Sequence, residues 1–391
     1  AKEKQDYKIK NKATARKLFG DEIKISPSQA EKYFSCPFSY FCQKGLNLKK
    51  VRKIEFSPLE SGTIIHYVLE NILKNSPKEQ LIGFGETEIE ALVEKYLNEF
   101  FEEFFEEQIS LSKRYLYLFD RLKGLLTRVV LNICEELSQS KFVPMEFEMK
   151  IGKDGDIPPI VINIKDGAKV VVEGVVDRVD VFEHGGKRYL RVIDYKSGTK
   201  DFDICKIADG FDMQMLLYLF SLCENYKEKE ENIPAGVLYL PARDNVISVL
   251  RQTADKEISA LQEKKLKRSG LVLKEETCLR AMEENLQGRF IPAKEKKSDG
   301  FELSKVGTSV ATNEEFNVIQ DFITQKVAEV GEGLLDGKIK AYPMEMPSFL
   351  PCDYCDYRLV CGIEDKDEKN SPKKVSKEKI FDYMKGGEFD E

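Results

Sequence analysis

The chain has 391 residues, of which 42% are hydrophobic and 33% charged, a composition typical of a folded protein with one elaborated domain or two smaller ones. Its formal net charge of -7 argues against a protein that coats nucleic acid over its whole surface, and no apolar run approaches the ~20 residues of a membrane span. The N-terminus lacks the apolar stretch of a signal peptide, so we expect a cytoplasmic protein without a membrane segment.

The N-terminal part is predicted to be mainly helical. Residues 1–20 are charged and lack a clear pattern, so we expect a leader segment from a longer protein. A capping box at Ser26, followed by proline, predicts a short helix that runs to Cys36. Residues 62–73 have helical apolar spacing and carry His66, one of only two histidines. Taken alone, a histidine on a buried helix is more typical of a hydrogen-bonded core residue than of a metal ligand.

The middle of the chain is predicted to form a mixed α/β core over residues 141–245. Long helices rich in aromatic residues come first, over residues 87–138. Residues 145–151 then alternate between apolar and polar side chains, which predicts a strand. Residues 211–222 have the pattern of a helix, and residues 237–240 that of a short buried strand bounded by Gly and Pro.

A β-hairpin is predicted in the centre of this core. Residues 170–182 and 188–196 are rich in valine, tyrosine and isoleucine, and the paired glycines Gly185 and Gly186 stand between them. A two-residue Gly-Gly turn fixes the register of the strands that it joins. The sequence therefore predicts which residues of the two strands face each other.

This register brings three ionisable side chains together. Asp177 is predicted to lie across from Asp194, and alternation places Lys196 on the same face. Two opposed carboxylates repel each other unless a cation lies between them, and their oxygen atoms suit Mg²⁺ or Mn²⁺. A neighbouring lysine can orient a water molecule or stabilise charge on a phosphate, which is the chemistry of phosphodiester hydrolysis. An exposed hairpin with solvated charges remains the alternative.

The C-terminal part is predicted to be a helical insertion over residues 250–340, followed by a charged tail over residues 364–391. Basic runs at residues 264–268 and 294–297 are more typical of solvated surfaces than of DNA contacts, whereas a basic connector at residues 49–53 fits either equally well. The tail is sparse in apolar residues, so we expect disorder with at most a short helix.

Nine cysteines in a chain expected to be cytoplasmic indicate metal binding or simple burial rather than disulfides. Cys352, Cys355 and Cys361 have the spacing C-x2-C-x5-C, and Cys36 is a plausible fourth ligand. Four thiolates suit either an iron-sulfur cubane or a structural zinc ion, and spacing alone leaves both open. Either centre would close a loop around nearly the whole fold. The other cysteines lie in apolar or helical contexts typical of buried thiols: Cys42, Cys134, Cys205, Cys223 and Cys278.

Four short motifs in one order carry a resemblance to a known family. They are G-x-x-x-H over residues 62–66, G-x-x-D-R-x-D over 174–180, D-Y-K over 194–196 and Q-x-x-x-Y over 214–218. This set resembles the RecB-family branch of the PD-(D/E)xK nucleases, and the cysteine pattern resembles an iron-sulfur subset of that branch. Ile193 replaces the proline of the family name, as is common in this branch. The likeness covers residues 18–363 and includes the nuclease domains of AddB proteins.

The resemblance implies a role for each motif residue. It implies a restriction-endonuclease-like mixed sheet core with helical insertions over residues 21–363, closed by an iron-sulfur staple that includes a cluster loop at residues 351–361. Lys196 would activate or position the water, and Gln214 and Tyr218 would support the site and contact DNA. The implied ligands of the catalytic Mg²⁺ are His66, Asp177, Asp194 and the carbonyl of Tyr195. The implied ligands of a structural [4Fe-4S] cluster are Cys36, Cys352, Cys355 and Cys361.

The resemblance also implies a function. We expect a Mg²⁺-dependent DNA exonuclease domain of a helicase-nuclease complex, acting on the 5'-ended strand of unwound DNA in double-strand break repair and recombination, with an AddA-like partner. The chain lacks a G-x-x-x-x-G-K-[ST] motif, so we expect no ATP bound by it. A free-standing CRISPR-associated exonuclease is an alternative, but such enzymes are much shorter. A non-catalytic DNA-binding module is another, which the intact motif residues disfavour.

Overall fold

The structure is a computed structural model. It describes residues 7–49, 58–104, 113–198, 201–226, 231–243, 261, 264–296, 301–304, 309–347, 349–364 and 367–387. Three residues of the basic connector, Lys50, Arg52 and Lys53, lie outside the described residues, as does Lys297 of the last basic run.

Helices and strands alternate along the chain much as the sequence predicts. The α-helices are α1 Lys12–Phe19, α2 Pro27–Ser35, α3 Pro37–Tyr40, α4 Pro58–Asn75, α5 Lys78–Leu81, α6 Glu86–Phe104, α7 Lys113–Gln139, α8 Gln214–Asn225, α9 Glu276–Met282, α10 Asn313–Leu335, α11 Arg358–Cys361 and α12 Ile380–Met384. The strands are β1 Glu22–Ile25, β2 Val143–Ile151, β3 Ile160–Asn163, β4 Lys169–Val172, β5 Gly174–His184, β6 Lys187–Lys196, β7 Glu231–Pro241, β8 Ser269–Leu273 and β9 Val310–Ala311. Short 3-10 helices and one π-helix complete the list: Phe41–Gly45, Lys165–Gly167, Ile204–Asp209 and Pro351–Tyr354.

A mixed sheet with the strand order β2-β5-β6-β7-β8-β9 forms the centre of the described structure. β5 and β6 are the predicted hairpin, and Gly185 and Gly186 both have positive φ values, 59° and 75°, as a tight two-residue turn requires. β6 and β7 run parallel, and α8 connects them as a crossover helix that packs on both strands. The mixed α/β prediction is confirmed.

The first predicted strand of the hairpin is divided in the structure. The sequence predicts one continuous strand over residues 170–182, but the chain leaves strand geometry at Glu173. β4 then joins a separate sheet with the order β1-β4-β3, whereas β5 begins at Gly174 in the central sheet. The same valine-rich run therefore serves two sheets, because both segments can bury apolar faces on opposite sides of a break.

The capping box predicted at the start of α2 is confirmed. The Ser26 hydroxyl accepts a hydrogen bond from the Gln29 backbone, and the Gln29 side chain accepts one from Ser26, with Pro27 at the first position. α2 ends at Ser35, immediately before Cys36. Within the expected leader, α1 packs on α10 and buries Ala15 completely.

The stretch 250–340 is less helical than the sequence predicts. α9 and α10 confirm part of the prediction, but β8 lies between β7 and β9 and extends the central sheet. Arg268, in a basic run predicted to be solvated, is 2% exposed. The run S-G-L-V-L is short and stands in a highly charged stretch, so its apolar signal is weak on its own.

The C-terminal tail packs against the body, contrary to the expectation of disorder. The predicted short helix is present as α12, which packs on α10 and buries Ile380 completely. Upstream of it, the backbone N–H of Lys373 donates to both carboxylate oxygens of Asp209, at 3.1 and 3.2 Å. The backbone N–H of Asn370 donates to Pro343. Within the described residues, no helix is both long and apolar enough to cross a membrane.

Candidate active site

The centre of the site is a group of side chains from α4, β2 and β5. His66, Glu148 and Asp177 each contribute an atom of a kind that binds metal ions, and these atoms all lie within 4.8 Å of one another. His66 Nδ1 is 3.4 Å from Glu148 Oε1 and 3.4 Å from Asp177 Oδ2. His66, predicted from its motif, therefore does lie beside Asp177 rather than in the core.

Glu148 is a site residue that was not predicted from the sequence. In the β2–β5 register, Phe147 faces Arg178 and Met149 faces Val176, so Glu148 lies across from Asp177. Its φ of 46° is in the left-handed region, which is unusual for glutamate and costs roughly 1 kcal/mol or more. The alternation of M-E-F-E-M-K does place this glutamate on the polar face of a strand, but only the pairing of β2 with β5 shows which face is functional.

The hairpin register predicted from the glycine turn is confirmed. Arg178 pairs with Ile193, so in the same register the next residues, Asp177 and Asp194, lie opposite each other. Lys196 Nζ is 2.5 Å from Asp194 Oδ2, and these side chains are 23% and 7% exposed. The predicted trio of Asp177, Asp194 and Lys196 thus lies on one patch at the end of the hairpin.

Tyr195 connects the two halves of the site through its backbone. Its N–H donates to Asp177 Oδ2 at 2.9 Å, and its carbonyl oxygen is 3.1 Å from His66 Nε2. The ring of Tyr195 also meets that of His66 edge to face, at 5.7 Å between centroids. The carbonyl that the family resemblance singles out therefore does face the group of ligands.

The electrostatics of the site favour a bound cation. Burial raises the pKa of Asp177, and the charge of Asp194 adds to this effect, so that the pKa reaches about 7. Burial alone lowers the pKa of His66, but Glu148 and Asp177 outweigh it and raise that pKa to about 9. Asp194 Oδ2 is buried without a well-aligned hydrogen bond in the described part of the chain, and its contact is the ion pair with Lys196. This donor set of carboxylates, imidazole and carbonyl fits a hard divalent ion.

Tyr218 and Gln214 lie behind the hairpin, at the start of α8. The Tyr218 hydroxyl is in hydrogen-bonding contact with the backbone of Val175 and the side chain of Gln214, and burial raises its pKa to about 12. Tyr218 is 4% exposed, so the structure supports a positioning role for it and leaves little surface for DNA. A DNA contact of the half-buried Gln214 stays a prediction.

A buried ionic network holds the hairpin against the neighbouring elements. Arg178 donates to both oxygens of Asp180, at 2.7 and 2.9 Å, and Arg191 is 2.5 Å from Asp180 and 3.0 Å from Glu136 of α7. Arg268, from β8, donates to the same Glu136 at 2.7 Å. In the sequence, Arg178 and Asp180 stand out only as letters of a motif. Their geometry shows that they fix β5 to β6 and to α7.

Gly174 is required by the close approach of Tyr218. A Cβ atom at this position would lie 2.0 Å from the Tyr218 hydroxyl oxygen. We expect Gly174→Ala to force Tyr218 or the start of β5 to move, lowering both the cleavage rate and the stability, the latter by about 1–3 kcal/mol. Thermal unfolding and DNA cleavage assays measure these effects. Gly124→Ala is the control, because its Cβ would meet no atom closer than 3.6 Å in a helix, and an equal loss there would contradict the explanation.

The four cysteines of the predicted cluster are brought together. Cys36, Cys352, Cys355 and Cys361 line one cavity of about 170 Å³, and none of them forms a disulfide. Burial raises the pKa of Cys36, and burial together with the other three thiols raises that of Cys352 to about 11. Such thiols stay protonated until a metal ion draws the proton away. Of the remaining cysteines, Cys42, Cys134 and Cys278 are buried and Cys205 and Cys223 are half-buried, close to the prediction.

The geometry of the cysteines distinguishes between the two kinds of metal centre. A tetrahedral zinc ion with Zn–S bonds of about 2.3 Å needs sulfur atoms about 3.8 Å apart. Among the described residues, no three of these cysteine sulfur atoms all lie within 4.8 Å of one another. The wider spacing around a cavity suits a larger group better than a single ion.

Comparisons with known proteins agree with this site. Residues 24–362 match the family described as the PD-(D/E)XK nuclease superfamily. The chain is 34% identical over 92% of its length to 31% of a subunit of the ATP-dependent helicase/deoxyribonuclease of Clostridium acetobutylicum. The proteins of the same name from Clostridioides difficile and Caldanaerobacter subterraneus subsp. tengcongensis are each 33% identical to it, over 98% and 92% of the chain and 34% and 31% of their own length. The chain thus spans about a third of the curated relatives that it matches.

Proposed function

Because the chain belongs to the PD-(D/E)XK nuclease superfamily, we propose that it is a metal-dependent DNA nuclease domain that hydrolyses phosphodiester bonds. The observation that carries the proposal is the convergence of His66, Glu148 and Asp177 beside the Asp194–Lys196 pair. His66, Glu148, Asp177, Asp194 and the Tyr195 carbonyl would hold Mg²⁺ or Mn²⁺. Such an ion supplies Lewis-acid polarisation of the phosphate and a more acidic bound water.

The protein's own residues have distinct tasks in this proposal. Lys196 neutralises charge that develops on the phosphate oxygens and orients the attacking water, and Asp194 holds its ammonium group in place. Asp177 is fixed by the backbone of Tyr195, so it meets the substrate with little reorganisation. Tyr218 and the buried Arg178–Asp180 pair position the hairpin without touching the substrate.

We infer a wider role from the relatives. Their name describes one component of an ATP-dependent helicase and deoxyribonuclease. The protein would then act as an exonuclease on a DNA strand delivered by a helicase, with an AddA-like protein as its partner, during double-strand break repair and recombination. Preference for the 5'-ended strand is part of this proposal and rests on the family resemblance.

A [4Fe-4S] cluster on Cys36, Cys352, Cys355 and Cys361 is the second part of the proposal. The shared cavity, the free thiols and the wide sulfur spacing support it over zinc. These residues belong to two distant parts of the chain, so the cluster would join the segment after α2 to the segment around α11. Its role in the proposal is structural, since the cysteines take no part in the site on β2, β5 and β6.

The metal dependence of cleavage tests the catalytic proposal. We expect the protein to degrade single-stranded DNA with Mg²⁺ or Mn²⁺ and to be inactive in EDTA. Glu148→Gln should raise the Mg²⁺ concentration for half-maximal activity by about 10-fold or more, because one anionic ligand is lost. Glu146→Gln, on the same strand, is the control: Glu146 accepts a hydrogen bond from Tyr226, which glutamine can also accept. Identical Mg²⁺ titrations for the wild type and Glu148→Gln would remove Glu148 from the site.

A further inference from the structure

Arg243 lies beside the site, just beyond the end of β7. In the parallel β6–β7 register, Asp194 faces Tyr239 and Lys196 faces Pro241. Directly paired residues share a face of the sheet, and Lys196 Nζ is indeed 5.3 Å from the centre of the Tyr239 ring. Two residues after Pro241, the same alternation places Arg243 on the face of Lys196.

The backbone keeps this segment next to the hairpin beyond the last paired residues. The N–H of Ala242 donates to the Lys196 carbonyl at 2.9 Å. Given a strand separation of about 4.8 Å and a rise of about 3.3 Å per residue, the backbones of Arg243 and Lys196 are about 8 Å apart. An arginine side chain spans that distance easily. Arg243 can therefore reach a ligand that also contacts Lys196.

The guanidinium group of Arg243 is buried without a counter-charge. Its Nε and Nη1 atoms are shielded from solvent and have no hydrogen-bond partner among the described residues. The three fully buried arginines of the hairpin network differ in this respect, because each contacts a carboxylate: Arg178, Arg191 and Arg268. A desolvated, unpaired guanidinium is energetically unfavourable, so its retention beside the site needs an explanation.

We propose that Arg243 binds a phosphate of the DNA strand, next to the phosphate that is cleaved. This inference rests on the proposed function. Guanidinium groups bind phosphate through paired, charge-assisted hydrogen bonds. Across the edge of the sheet, the order is Glu148 on β2, Asp177 on β5, Lys196 on β6 and Arg243 after β7. The group near the metal ligands acts on the scissile phosphate, and Arg243, one strand beyond Lys196, takes the neighbouring phosphate.

The inference predicts opposite effects on DNA binding and on stability. Arg243→Gln should weaken the binding of a single-stranded oligonucleotide by about 10-fold to 100-fold, measured with Ca²⁺ in place of Mg²⁺ to limit cleavage. The slope of log affinity against log salt concentration should fall by about one, as for the loss of one phosphate contact. In cleavage assays KM should rise more than kcat falls. Without DNA, the melting temperature should stay the same or rise, since an unpaired buried charge is removed.

Controls separate this inference from the proposed function. Arg280→Gln removes one exposed arginine that pairs with Glu276 and Glu295, and it should leave affinity and salt slope unchanged. Arg243→Lys, which keeps the charge, should recover part of the affinity. If the wild type neither binds nor cleaves the oligonucleotide, the proposed function fails. If the wild type does both and Arg243→Gln matches it, or if Arg243→Gln melts at a clearly lower temperature without DNA, Arg243 is a structural residue and the inference is wrong.

Discussion

Replacing Lys196 with methionine is expected to lower the rate of DNA cleavage by about 100-fold to 10,000-fold. The reason is that the ammonium group is the cation of the protein itself at the reacting phosphate, 2.5 Å from the buried Asp194. Methionine keeps the length and the apolar contacts of the side chain, so the strand should keep its place in the sheet. The rate falls because a charge that assists the reaction is lost, and binding should change much less.

Single-turnover cleavage of a labelled oligonucleotide measures this effect. Lys187→Met is a matched control, because Lys187 begins the same strand and makes a half-exposed ion pair with Glu231 at 3.4 Å. That variant should cleave DNA at the wild-type rate. A Lys196→Met protein that folds, binds DNA and still cleaves within a few-fold of the wild type would exclude the proposed role of this lysine.

Replacing Cys352 with alanine is expected to destabilise the whole domain. A cluster held by Cys36 and the three later cysteines closes a very long loop, and opening it should cost about 2–5 kcal/mol. In addition, the cavity between these cysteines would lose its bound group. We expect a fall in melting temperature of roughly 5 °C or more and loss of bound iron.

The iron and sulfide content, the visible absorption spectrum and the melting curve of anaerobically purified protein provide the measurements. The wild type should be brown and contain about four irons per chain. Cys205→Ala is the control, because Cys205 is equally half-buried but does not line the cysteine cavity. Stoichiometric zinc in a colourless wild type would replace the cluster with a zinc centre, and an unchanged Cys352→Ala melting curve would exclude a stabilising staple of either kind.

The hairpin and its register could be predicted because both are local. The turn residues Gly185 and Gly186 fix which residues face each other, so the sequence alone places Asp177 across from Asp194. The capping box at Ser26 is equally local and was equally predictable. His66 and the cysteines needed the family resemblance, since nothing in their local sequence brings residues so distant in the chain together.

The features that were missed depend on contacts between distant parts of the chain. Glu148 belongs to the site only because β2 pairs with β5, and the sequence does not show which strand that pairing selects. Arg268 appears in a basic run, yet Glu136 compensates its charge from a helix more than a hundred residues earlier. The tail looked too polar to fold, but a few buried residues such as Ile380, together with backbone hydrogen bonds to Asp209, hold it in place.

The contacts between the two ends of the described chain have a mechanical consequence. The Tyr7 hydroxyl donates to the Cys361 carbonyl at 3.1 Å, and the Ile9 N–H donates to the Gly337 carbonyl at 3.0 Å. The Tyr357 hydroxyl adds a bond to the Leu48 carbonyl at 2.9 Å. A pulling force applied at residues 7 and 364 would therefore load these bonds and the cysteine segment first. The hairpin that carries Asp177 and Lys196 lies outside that load path, so it would keep its shape under tension.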